Sequence, residues 1–215
     1  VPVWVIVVAA GRGERFGAPK QFALLRGRPV VQWSVDAARA VADGVVLVLP
    51  PGHRTDGRAG DPPYGADVAV VGGETRTASV RAGLRAVPES AAVIVVHDGA
   101  RPLATPALFR SVVDAVVAGA DAAVPALDVG DTLKRVDAGT VTATVPRLGL
   151  VTVQTPQAFR AEVLHRAHAS AADATDDAAL AEDSGATVRV VPGDPRNLKV
   201  TTVADLAMAE ALAAP

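Results

Sequence analysis

The segment Ala9-Ala10-Gly11-Arg12-Gly13-Glu14-Arg15-Phe16-Gly17-Ala18-Pro19-Lys20-Gln21 follows directly on the apolar run Val3 to Val8. A continuous, mostly β-branched run of that length predicts a central parallel strand covered on both faces. The glycines behind it permit positive φ and close approach of the backbone to a ligand. Exposed N–H groups and the cations Arg12, Arg15 and Lys20 would draw anionic oxygens into the turn. A strand that ends in a phosphate-holding loop predicts a Rossmann-like, doubly wound α/β fold, in which ligands sit outside the carboxyl ends of the strands.

Two familiar phosphate loops fail on spacing. A dinucleotide fingerprint needs its third glycine where Phe16 stands and an acid at the end of the second strand, which ends instead in Pro50-Pro51. A Walker loop needs Gly-Lys-Ser/Thr, but Lys20 lies between Pro19 and Gln21. The loop is therefore of another nucleotide- or phosphate-binding type.

With 215 residues, half of them hydrophobic, the chain is predicted to form one domain, 1–215, with an ample core. A net charge of −2 leaves no basic footprint for a long nucleic acid, so any nucleotide ligand should be small. There is no cysteine for a disulfide framework or a thiolate metal site, which is compatible with a reducing cytosol. The first apolar run is too short for a bilayer and lacks a basic flank, predicting a protein that is neither exported nor membrane-bound, and cytoplasmic. Of the 21 basic residues, only Lys20, Lys134 and Lys199 are lysines. In so arginine-rich a chain, a surviving lysine suggests a position that needs a compact ammonium, with Lys134 as readily a surface residue.

Further strands are predicted at Gly44 to Leu49, Asp67 to Val71, Ala92 to Val96, Ala122 to Ala126 and Thr187 to Val191, with helices at Val30 to Ala42, Arg160 to Ser170 and Val203 to Leu212. Pro50 to Gly65 reads as an exposed loop without chemistry. Polar residues gather at the ends of the first, third and fourth strands: the loop after Val8, Gly72-Gly73-Glu74-Thr75-Arg76, and His97-Asp98-Gly99-Ala100-Arg101. Residues 128–149 read as a β-hairpin turning at Asp137-Ala138-Gly139-Thr140. It has few large apolar residues to dock on its own domain, which predicts an arm packed on a second copy in a twofold dimer. Thr175-Asp176-Asp177 fits a helix N-cap with acids in the first turn, and His165 and His168, lacking a third ligand, read as a solvated face.

Taken in order, Ala-Ala-Gly-x-Gly-x-Arg with Pro-Lys-Gln, Gly-Gly-x-x-Arg-x-x-Ser-Val, His-Asp-x-Ala-Arg-Pro, Asp-Thr-x-Lys-Arg, Gln-Thr-Pro-Gln and Asn-x-Lys-Val-Thr closely resemble the 2-C-methyl-D-erythritol 4-phosphate cytidylyltransferases. The resemblance spans nearly the whole chain. It implies transfer of a cytidylyl group from CTP to methylerythritol phosphate in the non-mevalonate route to isoprenoid precursors, with Mg²⁺ bound mainly through the CTP phosphates and no metal ligand assigned in the protein. It further implies catalytic roles for Arg15, Lys20, Arg147 and Lys199, and CTP contacts at Ala9, Ala10, Gly11, Gly13, Gly73, Arg76 and Ser79. The acceptor is expected at Asp98, Arg101, Thr132 and Thr155, with Thr132 and Arg147 supplied by the partner's arm. Glu74 and Gly99 depart from the residues common in the family, and no fused cyclodiphosphate synthase domain is expected after Pro215. A cytidylyltransferase for another polyol phosphate, such as ribitol 5-phosphate, would share the CTP loop and differ around Arg147, Thr155 and Lys199.

Overall fold

The computed structural model describes residues 1–53, 62–169 and 173–213. The middle of the loop expected at Pro50 to Gly65, and Ser170 at the end of the helix expected from Arg160, lie outside the described residues.

The opening run forms β1 (Val3–Val8), and the loop behind it ends in a single 3₁₀ turn, Lys20–Phe22. A two-residue ribbon, β2 (Leu24–Leu25) and β3 (Arg28–Pro29), leads into α1 (Val30–Arg39). Then follow β4 (Gly44–Leu49), β5 (Val68–Val71), α2 (Arg76–Leu84), β6 (Val93–Asp98) and α3 (Pro106–Val117). After β7 (Ala122–Asp128) the chain leaves the sheet as the hairpin β8 (Leu133–Asp137) and β9 (Thr140–Val145). It returns as β10 (Val151–Val153) and β11 (Gln157–Arg160), continues through α4 (Ala161–Ala167) and α5 (Asp177–Asp183), and closes with β12 (Val188–Pro192) and α6 (Val203–Leu212).

Strand β1 is central, paired in parallel with β4 on one side and β6 on the other, and β5 extends the sheet beyond β4. The chain therefore builds outward from β1 to β5, then crosses back to β6, and the switch beside β1 opens a crevice at the strand ends. Antiparallel β11 sits between β6 and β7, while β12 runs parallel to β7 along its far edge. The expected doubly wound, mostly parallel sheet is present.

Why β1 reads as an unbroken apolar run is visible in the two cores. Val3, Val5 and Val7 face one layer with Val31 and Val35 of α1 and Phe109 and Val112 of α3. Ile6 faces the other, with Val80 and Leu84 of α2, Val163 and Leu164 of α4 and Leu180 of α5. Alternate residues enter opposite layers, so neither set can be polar. Gly83 lets α2 lie close on the sheet, since a Cβ there would come within 2.5 Å of Ile6 Cγ2. A small third core joins Leu25, Val30, Val200 and Ala209, with Phe16 and Leu198 packed on it.

The hairpin stands away from these cores, with Val136 and Val141 each 56% exposed and Leu148 beyond it 96% exposed. Several ends differ from expectation: α1 stops at Arg39, where Ala40 closes the helix, and α4 runs only from Ala161 to Ala167.

Candidate active site

The ends of β1, β5 and β6 open into one cavity of about 660 Å³. The main chain of Ala9, Ala10 and Gly11 forms one wall, Gly72 to Arg76 and Ser79 another, and Asp98 and Lys199 a third; Lys20 also reaches it. A second recess of about 590 Å³, lined by Arg12, Gly13, Glu14 and Arg15, shares Arg12, Lys20 and Glu74 with the first. The structure thus brings together Ala9, Ala10, Gly11, Lys20, Gly73, Arg76, Ser79, Asp98 and Lys199, with Gly13 and Arg15 in the adjoining recess.

The loop has a built conformation. Gly13 has φ +70°, and a Cβ on it would collide with the Ala18 carbonyl, so only glycine fits there. The N–H groups of Phe16 and Gly17 both donate to Gly13 O. Gln21, only 2% exposed, donates through Nε2 to the carbonyls of Ala9 and Gly11. Its role was not separable from Lys20 in the sequence motif.

At the second wall, Thr75 caps α2 by accepting from Ala78 N–H, and the buried Ser79 hydroxyl donates to Thr75 O while accepting from Gly73 N–H. Ser79 therefore braces the Gly72-Gly73 turn.

Asp98 is the electrostatic centre of the third wall. Its Oδ1 meets Arg76 Nε at 3.1 Å and its Oδ2 meets Lys199 Nζ at 2.7 Å. Burial pushes the carboxyl pKa up, but the charges of Arg76 and Lys199 and the Lys199 hydrogen bond overcome this and hold it well below the ordinary carboxylate range. For Arg76, burial lowers the guanidinium pKa and the two flanking carboxylates more than reverse it. Lys20 is pulled below its usual value by burial and by the nearby charges of Lys199 and Arg15. A cluster of cations that repel one another in this way is built to meet a polyanion.

Beneath Asp98, Thr155 Oγ1 accepts from the Asp98 N–H and lies 3.1 Å from His97 Nδ1, while His97 Nε2 lies 3.3 Å from Arg101 O. Burial lowers the His97 pKa to about 4, so the ring is neutral near pH 7, donating to Arg101 O and accepting from Thr155. Arg101 Nη1 donates to Asn197 O, and Val200 N–H donates to Ala100 O. These bonds fasten the segment carrying Lys199 to the end of β6. Arg101 and Thr155, expected to touch a ligand, are not among the residues lining either recess; their bonds support Asp98 and the segment carrying Lys199.

Thr132 and Arg147 do not line either recess; both are exposed, and Arg147 donates to the carbonyls of Val129 and Gly130 at the base of the hairpin. Lys134 is also on the hairpin, 2.7 Å from Thr144 Oγ1, so two of the three lysines converge on the cavity and the third does not.

One expectation needs correcting. His168 is 5% exposed and does not lie on a solvated face: its Nε2 meets Asp177 Oδ1 at 3.0 Å. The N-cap expected at Thr175-Asp176-Asp177 is present: Asp176 caps α5 by accepting from Ala179 N–H, and Asp177 in the first turn is in addition buried and pairs with Arg76 Nη1 at 2.7 Å. That pair joins residues 101 apart in sequence, which no local pattern signals.

Comparison with known proteins gives a consistent result. Residues 3–214 match the family model described as IspD, 2-C-methyl-D-erythritol 4-phosphate cytidylyltransferase. The chain is 46% identical to the protein of that name from Nocardia farcinica, covering 98% of this chain and 93% of the relative. It is 42% identical to a bifunctional enzyme IspD/IspF from Solidesulfovibrio magneticus, where 99% of this chain matches 58% of the relative. Among solved structures, the 2-C-methyl-D-erythritol 4-phosphate cytidylyltransferase of Thermus thermophilus superposes with a TM-score of 0.82 at 36% identity, covering 99% of this chain and 98% of that one.

Proposed function

The chain belongs to the 2-C-methyl-D-erythritol 4-phosphate cytidylyltransferase family, and we infer that it transfers the cytidylyl group of CTP to the phosphate of 2-C-methyl-D-erythritol 4-phosphate. The products are 4-diphosphocytidyl-2-C-methyl-D-erythritol and pyrophosphate, in the synthesis of isoprenoid precursors. The observation that carries this reading is that Lys20 and Lys199, from opposite ends of the sequence, line one cavity with the Ala9–Gly11 main chain and Asp98.

In the proposed reaction an oxygen of the acceptor phosphate attacks the α-phosphorus of CTP. The bond from that phosphorus to the bridging oxygen breaks, and its electron pair leaves on pyrophosphate. No side-chain nucleophile is required, so catalysis rests on alignment and on stabilising negative charge. Arg15 and Lys20 neutralise the triphosphate as pyrophosphate departs. Lys199 holds the acceptor phosphate as a point charge, with Asp98 toward the acceptor hydroxyls. The main chain around Ala9 to Gly11 and Gly73 reads the donor and acceptor edge of cytosine, for which small residues leave room.

No group of three or more His, Cys, Asp or Glu side chains that could cage a metal is present among the described residues, and Asp98 is already engaged by two cations. That donor set fits Mg²⁺ carried mainly by phosphate oxygens. Held there beside Arg15 and Lys20, it would supply Lewis-acid offset of the phosphate charge. No helix among the described residues is long and apolar enough to cross a membrane, and we place the protein in the cytoplasm.

The exposed hairpin, residues 128–149, supports a homodimer in which Thr132 and Arg147 of each chain complete the partner's acceptor site. Pyrophosphate release tests the reading, with CTP against the other nucleoside triphosphates and methylerythritol phosphate against ribitol 5-phosphate. CTP with methylerythritol phosphate should be the productive pair, and no release from it in the presence of Mg²⁺ would overturn the assignment.

A further inference from the structure

A line of polar contacts runs from the interior between α4 and α5 to the cavity: His168, Asp177, Arg76, Asp98, Lys199. How Arg76 is used in that line is unusual. A guanidinium prefers to close two parallel N–H bonds on one carboxylate. Here its Nε contacts Asp98 Oδ1, while Nη1, on the opposite edge, contacts Asp177 Oδ2. Nη2, which completes the same edge as Nε, is buried and has no hydrogen-bond partner among the described residues. Bidentate closure on Asp98, with Oδ2 accepting from Nη2, would satisfy it. Oδ2 is instead held by Lys199.

Asp177 can resist that closure because it is itself fixed. It is 1% exposed, His168 Nε2 lies 3.0 Å from its second oxygen, and Gln157 ties down the start of α5 through Asp176 Oδ2 and Ala178 N–H. We propose that Asp177, oriented by His168, is a positioning residue for acceptor binding: it holds the Arg76 fork open across two carboxylates and thereby leaves Asp98 Oδ2 for Lys199. Without Asp177, the guanidinium closes on Asp98 with both Nε and Nη2, and Lys199 loses the contact that aims it into the cavity. The consequence for acceptor binding rests on the transfer reaction inferred above; the consequence for Lys199 does not.

Steady-state kinetics of Asp177→Asn, together with NMR of protein labelled with [¹⁵Nζ]lysine, test this. The chain has only three lysines, Lys20, Lys134 and Lys199, so the Lys199 signal is assigned by its loss in Lys199→Arg. In Asp177→Asn the KM for methylerythritol phosphate should rise about tenfold or more, as for loss of a charge-assisted hydrogen bond, and by more than the KM for CTP, which changes only so far as Arg76 itself touches the nucleotide. In the ligand-free protein the Lys199 signal should move toward its position in Asp98→Asn. His168→Gln, which keeps an N–H donor for Asp177, should stay near wild type, and His168→Ala should show a smaller form of the same KM change.

A folded Asp177→Asn with unchanged acceptor KM, or an unmoved Lys199 signal, would overturn the proposal. If Asp177→Asn does not fold, equal behaviour of His168→Gln and His168→Ala in both measurements has the same force. Absence of turnover by the wild type would instead remove the substrate assignment and leave the Lys199 signal to decide the positioning role.

Discussion

Gln21 Nε2 lies 2.8 Å from the Ala9 carbonyl oxygen and 2.8 Å from that of Gly11, so one buried amide ties the far end of the phosphate loop to its base. Both amide protons are committed. Gln21→Glu presents an acceptor-only group to two carbonyls and should cost about 2–4 kcal/mol, more than Gln21→Leu, which merely leaves the carbonyls unpaired. Urea denaturation of the two variants checks the order, and a more stable Glu variant would show that the clamp is not formed. Both should also lose turnover, since the loop carries the phosphate-binding main chain.

Lys20 lies among like charges, and its pKa is lowered by burial and by Lys199 and Arg15. An ammonium so placed destabilises the empty protein slightly and is relieved by an anionic ligand. Lys20→Ala should therefore leave thermal stability unchanged or slightly raised while lowering kcat by about a hundredfold or more. Near-normal turnover in that variant would remove Lys20 from the catalytic set.

Sequence and structure agree best where the signal is local. An apolar run followed by a small-residue turn predicts a buried strand with a binding loop, and β1 with its loop is built that way because Val5 and Ile6 face opposite cores. The hairpin was legible for a similar reason, as two short runs around Asp137-Ala138-Gly139-Thr140. Arg101 and Thr155 sit in motifs dense with cavity residues, and only the fold reveals that their side chains bond Asn197 O and the Asp98 N–H. His168 and Asp177 were unreadable because each is defined by a buried partner. An Asp in the first turn of a helix looks like a cap until an arginine 101 residues away is found against it.

The buried His97 makes stability depend on pH. Its pKa falls from 6.5 to about 4 on folding, chiefly through burial, so between those values the unfolded chain binds more protons. Stability is thus fully present above pH 6.5 and lost as pH falls toward 4, on the order of 3 kcal/mol in all. His53, also lowered by burial, adds to the same slope. Asp98, with its depressed pKa, withdraws its contribution only at lower pH, below the ordinary carboxylate value. Thermal melts from pH 7 to pH 4.5 should show the decline, and His97→Asn, less stable at pH 7, should flatten it. An equal slope in that variant would place the titrating group elsewhere.

The proposed exchange of arms gives a prediction that a monomeric site cannot meet. If Arg147 serves the partner's site and Lys199 its own, Arg147→Ala and Lys199→Ala each disable both sites of their homodimers. In a mixed dimer, one site lacks both residues and the other has both. Mixing the two inactive variants, with partial denaturation to allow subunit exchange, should then restore about a quarter of wild-type activity, since half of the randomly formed dimers are mixed and each carries one intact site. A substitution that places a charge on the exposed apolar surface near the arm, Leu148→Asp, should abolish this recovery by weakening the dimer, which sedimentation would register as monomer. Recovery near zero from stable mixed dimers would return Arg147 to the site of its own chain.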